Sequence, residues 1–177
     1  MGLDITAYKN LKVVQNPDLD EKGYPINYDK EWLPGESMDW SEKEFPGRGE
    51  GVDSKTVYTY EDSFDFNAGS YSGYGEWRRR LASFVLGRDI DEDDDSYFEE
   101  CEKKETAFWQ LINFADNEGV IGSVVAKKLL QDFHDHYDKV SEYFEKSEDD
   151  YDWYMGKYED WTTAFEVASN NGAVDFG

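Results

Sequence analysis

Carboxylates dominate the chemistry this chain can offer. The run Asp89-Ile90-Asp91-Glu92-Asp93-Asp94-Asp95, followed by Glu99 and Glu100, is one dense acidic segment, and Glu148, Asp149, Asp150 and Asp152 form another. Asp89, Asp91, Asp93, Asp95 and Glu100 fall on positions one, three, five, seven and twelve of an EF-hand calcium loop. Two departures weaken that match. Asp94 replaces the glycine of the sharp turn, and Ser96 stands where an apolar residue is usual. The loop therefore reads as a solvated acidic surface, and no metal is expected.

A second set follows the glycine–tyrosine segment Gly69 to Gly75, with Tyr71, Ser72 and Tyr74, then Trp77 and the cluster Arg78-Arg79-Arg80. Glycines let backbone approach a ligand, tyrosines offer stacking faces, and arginine grips phosphate or carboxylate. That is the composition of a nucleotide pocket. The competing and preferred reading pairs these arginines internally with the abundant carboxylates, because arginine is the residue best suited to enclosed ion pairs. Asp116 and Glu118, in the turn Asp116-Asn117-Glu118-Gly119, could serve as acid and base or as magnesium ligands, or could simply cap helices.

Other chemistries are poorly supplied. His134 and His136 lie two apart in a helical pattern and face different directions, which argues against a metal pair. Cys101 is the single cysteine, so neither an intrachain disulfide nor a Cys-based zinc site can form. There is no phosphate loop, nucleophile elbow, Cys–His pair or metalloprotease helix. Nothing specifies an enzyme, and no cofactor is expected.

Charge sets the range of partners. Lys plus Arg number 18 against 41 Asp plus Glu, a formal charge of -23. Such a surplus discourages direct binding to nucleic acid and to anionic lipid. Aromatic residues make up 17% of the chain, far more than disordered acidic tails carry, so it should fold. The apolar stretches Leu81–Leu86 and Val120–Ala126 are too short to span a bilayer. The start Met1-Gly2-Leu3-Asp4 does not read as a signal peptide, and the expected location is the cytosol.

The elements that must position these residues point to one α+β domain over 1–177, a strand- and loop-rich part over 1–68 and a helical part over 70–171. The expected architecture is a small N-terminal antiparallel sheet followed by about four helices. Leu3 to Val14 reads as a strand, as do Thr56–Tyr60 and Ser63–Phe66. Asn16 to Gly51 holds all four prolines and should be a long excursion with one short helix near Ser37–Glu44. Trp77, Leu81, Phe84 and Val85 mark a helical face that Gly87 could end, and Phe108, Leu111, Ile112 and Ala115 mark a second. Ser123 is the expected N-cap of a helix with stripe Val125, Leu129, Phe133, Tyr137, Val140 and Phe144. A last helix carries Tyr151, Tyr154, Tyr158, Trp161, Phe165 and Ala168 on one side and stops at Asn171-Gly172.

Three segments, Met1-Gly2-Leu3-Asp4-Ile5-Thr6-Ala7-Tyr8, Gly69-Ser70-Tyr71-Ser72-Gly73-Tyr74 with Trp77-Arg78, and Asp116-Asn117-Glu118-Gly119-Val120-Ile121-Gly122, resemble a group of uncharacterised small bacteriophage-encoded proteins. They cover about a fifth of the chain. The resemblance implies a phage product acting in the bacterial host cytosol; by analogy, small acidic phage proteins inhibit host defence, some as mimics of DNA. The leading expectation is thus an acidic inhibitor that presents carboxylates to the basic surface of a host nucleic-acid-binding or defence protein. Its partner-binding residues would be Asp89, Asp91, Glu92, Asp93, Asp94, Asp95, Glu99, Glu100, Glu148, Asp149, Asp150 and Asp152. The alternative is a small-ligand or nucleotide-binding protein using Tyr71, Ser72, Tyr74, Trp77, Arg78, Asp116 and Glu118. A divalent-metal hydrolase built on Asp116 and Glu118 is a third.

Overall fold

A computed structural model describes residues 2–177; Met1 of the first resembling segment lies outside the described residues. Among these, the chain order is β1 (Gly2–Lys9), β2 (Lys12–Val13), β3 (Glu31–Trp32), α1 (Gly35–Glu44), β4 (Tyr58–Thr59), β5 (Asp62–Ser70), α2 (Tyr71–Leu86), α3 (Tyr97–Lys103), α4 (Trp109–Ile112), β6 (Gly119–Gly122), α5 (Ser123–Ser147), α6 (Tyr151–Ser169) and β7 (Ala173–Phe176). The protein is of mixed α+β class, with two antiparallel sheets.

The main sheet has the order β5-β1-β7-β6. Alternation in β1 decides its two faces: Leu3, Ile5 and Ala7 point into the helical core, while Tyr8 faces the other way. On the core side α2, α5 and α6 bury Trp77, Leu81, Phe133, Tyr158, Trp161 and Phe165 without measurable exposure. On the far side a smaller cluster of Leu11, Trp32, Met38, Tyr58 and Val120 packs under the proline-rich excursion. The excursion and its three-stranded sheet, β2-β4-β3, thus cover a sheet face that would otherwise be wet.

Several expectations are corrected. The main sheet is not N-terminal, because its inner partner β7 and edge strand β6 come from the C-terminal half. The last helix ends where expected, at Ser169 just before Asn171-Gly172, but β6 and β7 were not among the expected strands. Both β6 and β7 are four-residue strands, and β6 is buried throughout, so neither shows the alternation by which a half-buried strand is recognised. Gly172 also permits a close approach: a Cβ there would collide with the Tyr8 carbonyl oxygen.

Six helices form among the described residues, where about four were expected. The additional α3 directs only Tyr97 and Cys101 fully inward, a pair too sparse to register as a stripe. The Phe108–Ala115 face is no full helix; Phe108 adopts a left-handed conformation (φ 63°) and only the single turn α4 follows. Ser123 is the first residue of α5, and Gly122 holds the capping position without a side-chain hydrogen bond. The glycine–tyrosine segment continues as the first turn of α2 over Tyr71–Gly75, since the Ser70 hydroxyl accepts the Gly73 N–H at 3.0 Å. Gly87 ends α2 as expected, in the left-handed region at φ 67° with its N–H on the Ser83 carbonyl. Among the described residues no helix is long and apolar enough to cross a membrane.

Candidate functional site

Helix α2 organises the charged chemistry. Its Glu76, Arg79 and Arg80 stand three and four apart, so their side chains meet on one face. Arg80 Nε lies 2.9 Å from Glu76 Oε1 and 3.0 Å from Glu148 Oε1. Arg79 Nε donates to Glu76 Oε2 at 3.1 Å, and its Nη1 donates to the Ile90 carbonyl. One carboxylate on α2 therefore fastens both acidic segments: through Arg79 the 89–95 loop, and through Arg80 the α5–α6 turn. Glu148, with 8% of its side chain exposed, is spent on this pairing. Burial pushes its pKa up against the opposing pull of Arg80.

Arg78 faces inward. Its guanidinium sits over the Tyr74 ring at 4.5 Å and the Phe98 ring at 5.2 Å. Nη1 donates to the carbonyls of Phe114 (2.7 Å) and Ile112 (3.4 Å). Nη2 stands 3.6 Å from Asp116 and makes no hydrogen bond among the described residues. This arginine thus ties the 112–116 turn to α2, as the internal-pairing reading expects.

The acidic loop divides into engaged and unengaged carboxylates. Arg88 holds Asp94 at 3.3 Å and Glu100 at 2.7 Å, and Asp94 also accepts the Ser96 N–H at 2.9 Å. Hydrogen bonds from Ser96, reinforced by Arg88, hold Asp94 below the usual carboxylate range; Arg88 and Lys104 do the same for Glu100. Glu99 pairs with Lys103 at 3.0 Å on the surface, and Asp150 caps α6 by accepting the Trp153 N–H. Asp89, Asp91, Glu92, Asp93, Asp95, Asp149 and Asp152 form no ion pair among the described residues. The EF-hand-like spacing does not translate into a cage: no three His, Cys, Asp or Glu side chains among the described residues gather as metal ligands would.

A cleft of about 700 Å³ lies between α2 and this loop. Ser72, Gly75, Glu76, Arg78 and Arg79 line it from α2, and Glu92 and Asp95 from the acidic loop. Tyr97 and Phe98 of α3, with Asp116, complete the wall. Residues from both sequence-derived sets meet here, although they were expected to act apart. Of the ligand-pocket set, Ser72, Arg78 and Asp116 reach the cleft. Tyr71 is exposed beside it, while Tyr74 and Trp77 are core residues, the Trp77 indole donating to the Tyr154 carbonyl at 3.2 Å. Glu118 lines a separate cavity of about 310 Å³ with Asp175, so Asp116 and Glu118 do not converge on one reacting centre. His136 is structural: Nδ1 meets the Asp132 carbonyl at 2.9 Å and the ring abuts Phe108 edge-on.

Sequence reasoning passed over Glu76, Tyr97 and Phe98. The spacing of Glu76 before Arg79 and Arg80 was a readable helix pairing, whereas the aromatic wall depends on α3, whose pattern was too short to detect. No family model matches the chain, and neither a curated protein nor a solved structure matches it.

Proposed function

We propose that this is an acidic inhibitor-type protein that binds the basic surface of a nucleic-acid-binding or defence protein, in keeping with the phage-like segments of its sequence, and acts in the bacterial cytosol. The observation that supports this reading is the junction at Glu76. Through Arg79 and Arg80 it brings two acidic segments nearly 60 residues apart in sequence against one helix, leaving Asp91, Glu92, Asp93, Asp95, Asp149 and Asp152 without counterions among the described residues. Carboxylates so arrayed accept hydrogen bonds from Arg and Lys as phosphates do. A nucleotide pocket is less well supported: four carboxylates against two already engaged guanidiniums line the main cleft, which repels phosphate.

The test is competitive capture. Immobilised protein is exposed to bacterial lysate at low salt, and each retained protein is challenged with duplex DNA and with rising salt. The expected partner binds nucleic acid, is displaced by duplex DNA and elutes steeply as salt screens both surfaces. The variant Asp91→Asn/Asp93→Asn/Asp149→Asn/Asp152→Asn should retain little of it. Undiminished retention by that variant, at unchanged melting temperature, would refute the proposal.

A further inference from the structure

The α2 cleft has features that a merely solvated acidic surface lacks. Glu92 and Asp95 face it without any basic partner among the described residues, and rings of Tyr97 and Phe98, with centroids 4.1 Å apart, form one wall. Arg78, with only 4% of its side chain exposed, lines it with an Nη2 that is ion-paired to Asp116 at 3.6 Å without a hydrogen bond and with an enclosed Nε that has no hydrogen-bond partner among the described residues. A smaller cleft of about 230 Å³, bounded by Trp40, Phe45 and Phe114, shares Arg78, Phe98 and Asp116 with it, so the depression continues as an aromatic-walled groove.

These features specify a ligand. Two uncompensated carboxylates call for positive charge. They are too dispersed for one compact metal ion, since no three ligating side chains gather among the described residues. An extended cation with an apolar stem suits both the carboxylates and the rings, as a long basic side chain lays its methylenes on aromatic surface and keeps its head polar. Arg78 Nη2, ion-paired with Asp116 at 3.6 Å but without a hydrogen bond among the described residues, can still donate to an acceptor in the same ligand, which a peptide carbonyl supplies and a polyamine does not.

We infer that this groove docks an extended basic peptide segment of the partner, an arginine side chain entering the α2 cleft between the Tyr97–Phe98 wall and Glu92/Asp95. This rests on the proposed binding of a basic partner and assigns it a specific anchor. Arginine is favoured over lysine because its planar guanidinium both stacks on rings and spans two carboxylates.

Gly75 gives a clean test. It lines the cleft on α2, and a Cβ there would meet nothing within 4 Å, so Gly75→Phe fills the cleft without altering charge. Binding of an (Arg-Gly)6 peptide is measured by calorimetry on the full chain, with (Lys-Gly)6 and spermidine as comparators and melting temperature as the check on folding. The expected result is a loss of about tenfold or more in Gly75→Phe and in Glu92→Gln/Asp95→Asn, equivalent to about 1.4 kcal/mol. The remote pair Asp149→Asn/Asp152→Asn should lose about threefold or less, and (Lys-Gly)6 and spermidine should bind more weakly than (Arg-Gly)6. Should Gly75→Phe misfold, Gly75→Gln, which also carries no charge, takes its place. Equal, modest losses in all the acidic variants with full binding by the folded cleft-filled variant would overturn the groove assignment while leaving the acidic-face reading intact. Tighter binding of spermidine would overturn the peptide assignment. No binding of any basic peptide by the parent would overturn both.

Discussion

Trp32 and Asp175, 143 residues apart, meet on the covered face of the main sheet, where the indole Nε1 donates to Asp175 Oδ2 at 3.0 Å. The bond ties the proline-rich excursion to the C-terminal strand. It also leaves a carboxyl in a desolvated place: burial pushes Asp175 up to about 7, and the Trp32 hydrogen bond only partly opposes this.

Asp175 consequently holds its proton more tightly in the folded than in the unfolded chain. Its contribution to stability is fully present below the ordinary carboxylate pKa of about 4 and is lost as pH rises through about 7. Asp175→Asn keeps an acceptor for the indole and removes the charge. Urea unfolding should show it more stable than the parent by about 1–3 kcal/mol at alkaline pH, with the difference shrinking as pH falls below about 7 and vanishing only below about 4. Parallel pH profiles for the two proteins would contradict this.

The Arg80–Glu148 pair makes the opposite kind of contribution. Arg80→Met strands a carboxylate that has little access to water, and should cost about 1–3 kcal/mol at neutral pH, below the range for fully enclosed pairs because Arg80 is partly exposed. Adding Glu148→Gln should recover part of that loss. A double-mutant cycle by chemical denaturation reads the coupling directly, and additive losses would deny it.

Neutralising the exposed loop should behave differently from both. Asp91→Asn/Asp93→Asn/Asp95→Asn should change stability by no more than about 0.5 kcal/mol, since none of the three makes an ion pair among the described residues. Asp94→Asn should cost more, because Asp94 accepts from Ser96 and pairs with Arg88. The ranking is checked by thermal unfolding of the two variants side by side.

Calcium should leave the protein nearly unchanged. Asp94 and Glu100 are drawn to Arg88, away from the convergence that an EF-hand needs. At millimolar calcium the expected stabilisation is well under about 2 kcal/mol; a larger one would reveal a tight site by linkage.

Neither duplex DNA nor anionic vesicles should bind the purified protein at moderate salt, because a charge of -23 opposes both. A gel shift or vesicle co-sedimentation measures this, and clear retention on either would count against the charge argument.

Much of the helical half was legible in the residues alone. The stripes of α5 and α6 lie mostly on the core as their spacing requires, although Tyr137 of the α5 stripe is exposed, and Gly87 ends α2 because glycine adopts a left-handed conformation without steric cost. Pairing of the arginine cluster with carboxylates was legible too, from an excess of acid and from arginine's suitability for enclosed pairs. The main sheet was legible only in β1 and β5, not in its other two strands or its pairing. Its strands β6 and β7 are short and largely buried, and strand pairing between residues near 5, 66, 121 and 174 leaves no local periodic trace. The cleft belongs to tertiary structure for the same reason. Ser72, Asp95, Phe98 and Asp116 become neighbours only because Arg78 and Arg79 reach from one helix to backbone carbonyls of two separate loops. Local sequence determined which groups carry charge and which faces are apolar; contacts between distant segments, set by burial and by the demand that enclosed donors find acceptors, decided which of those groups share a site.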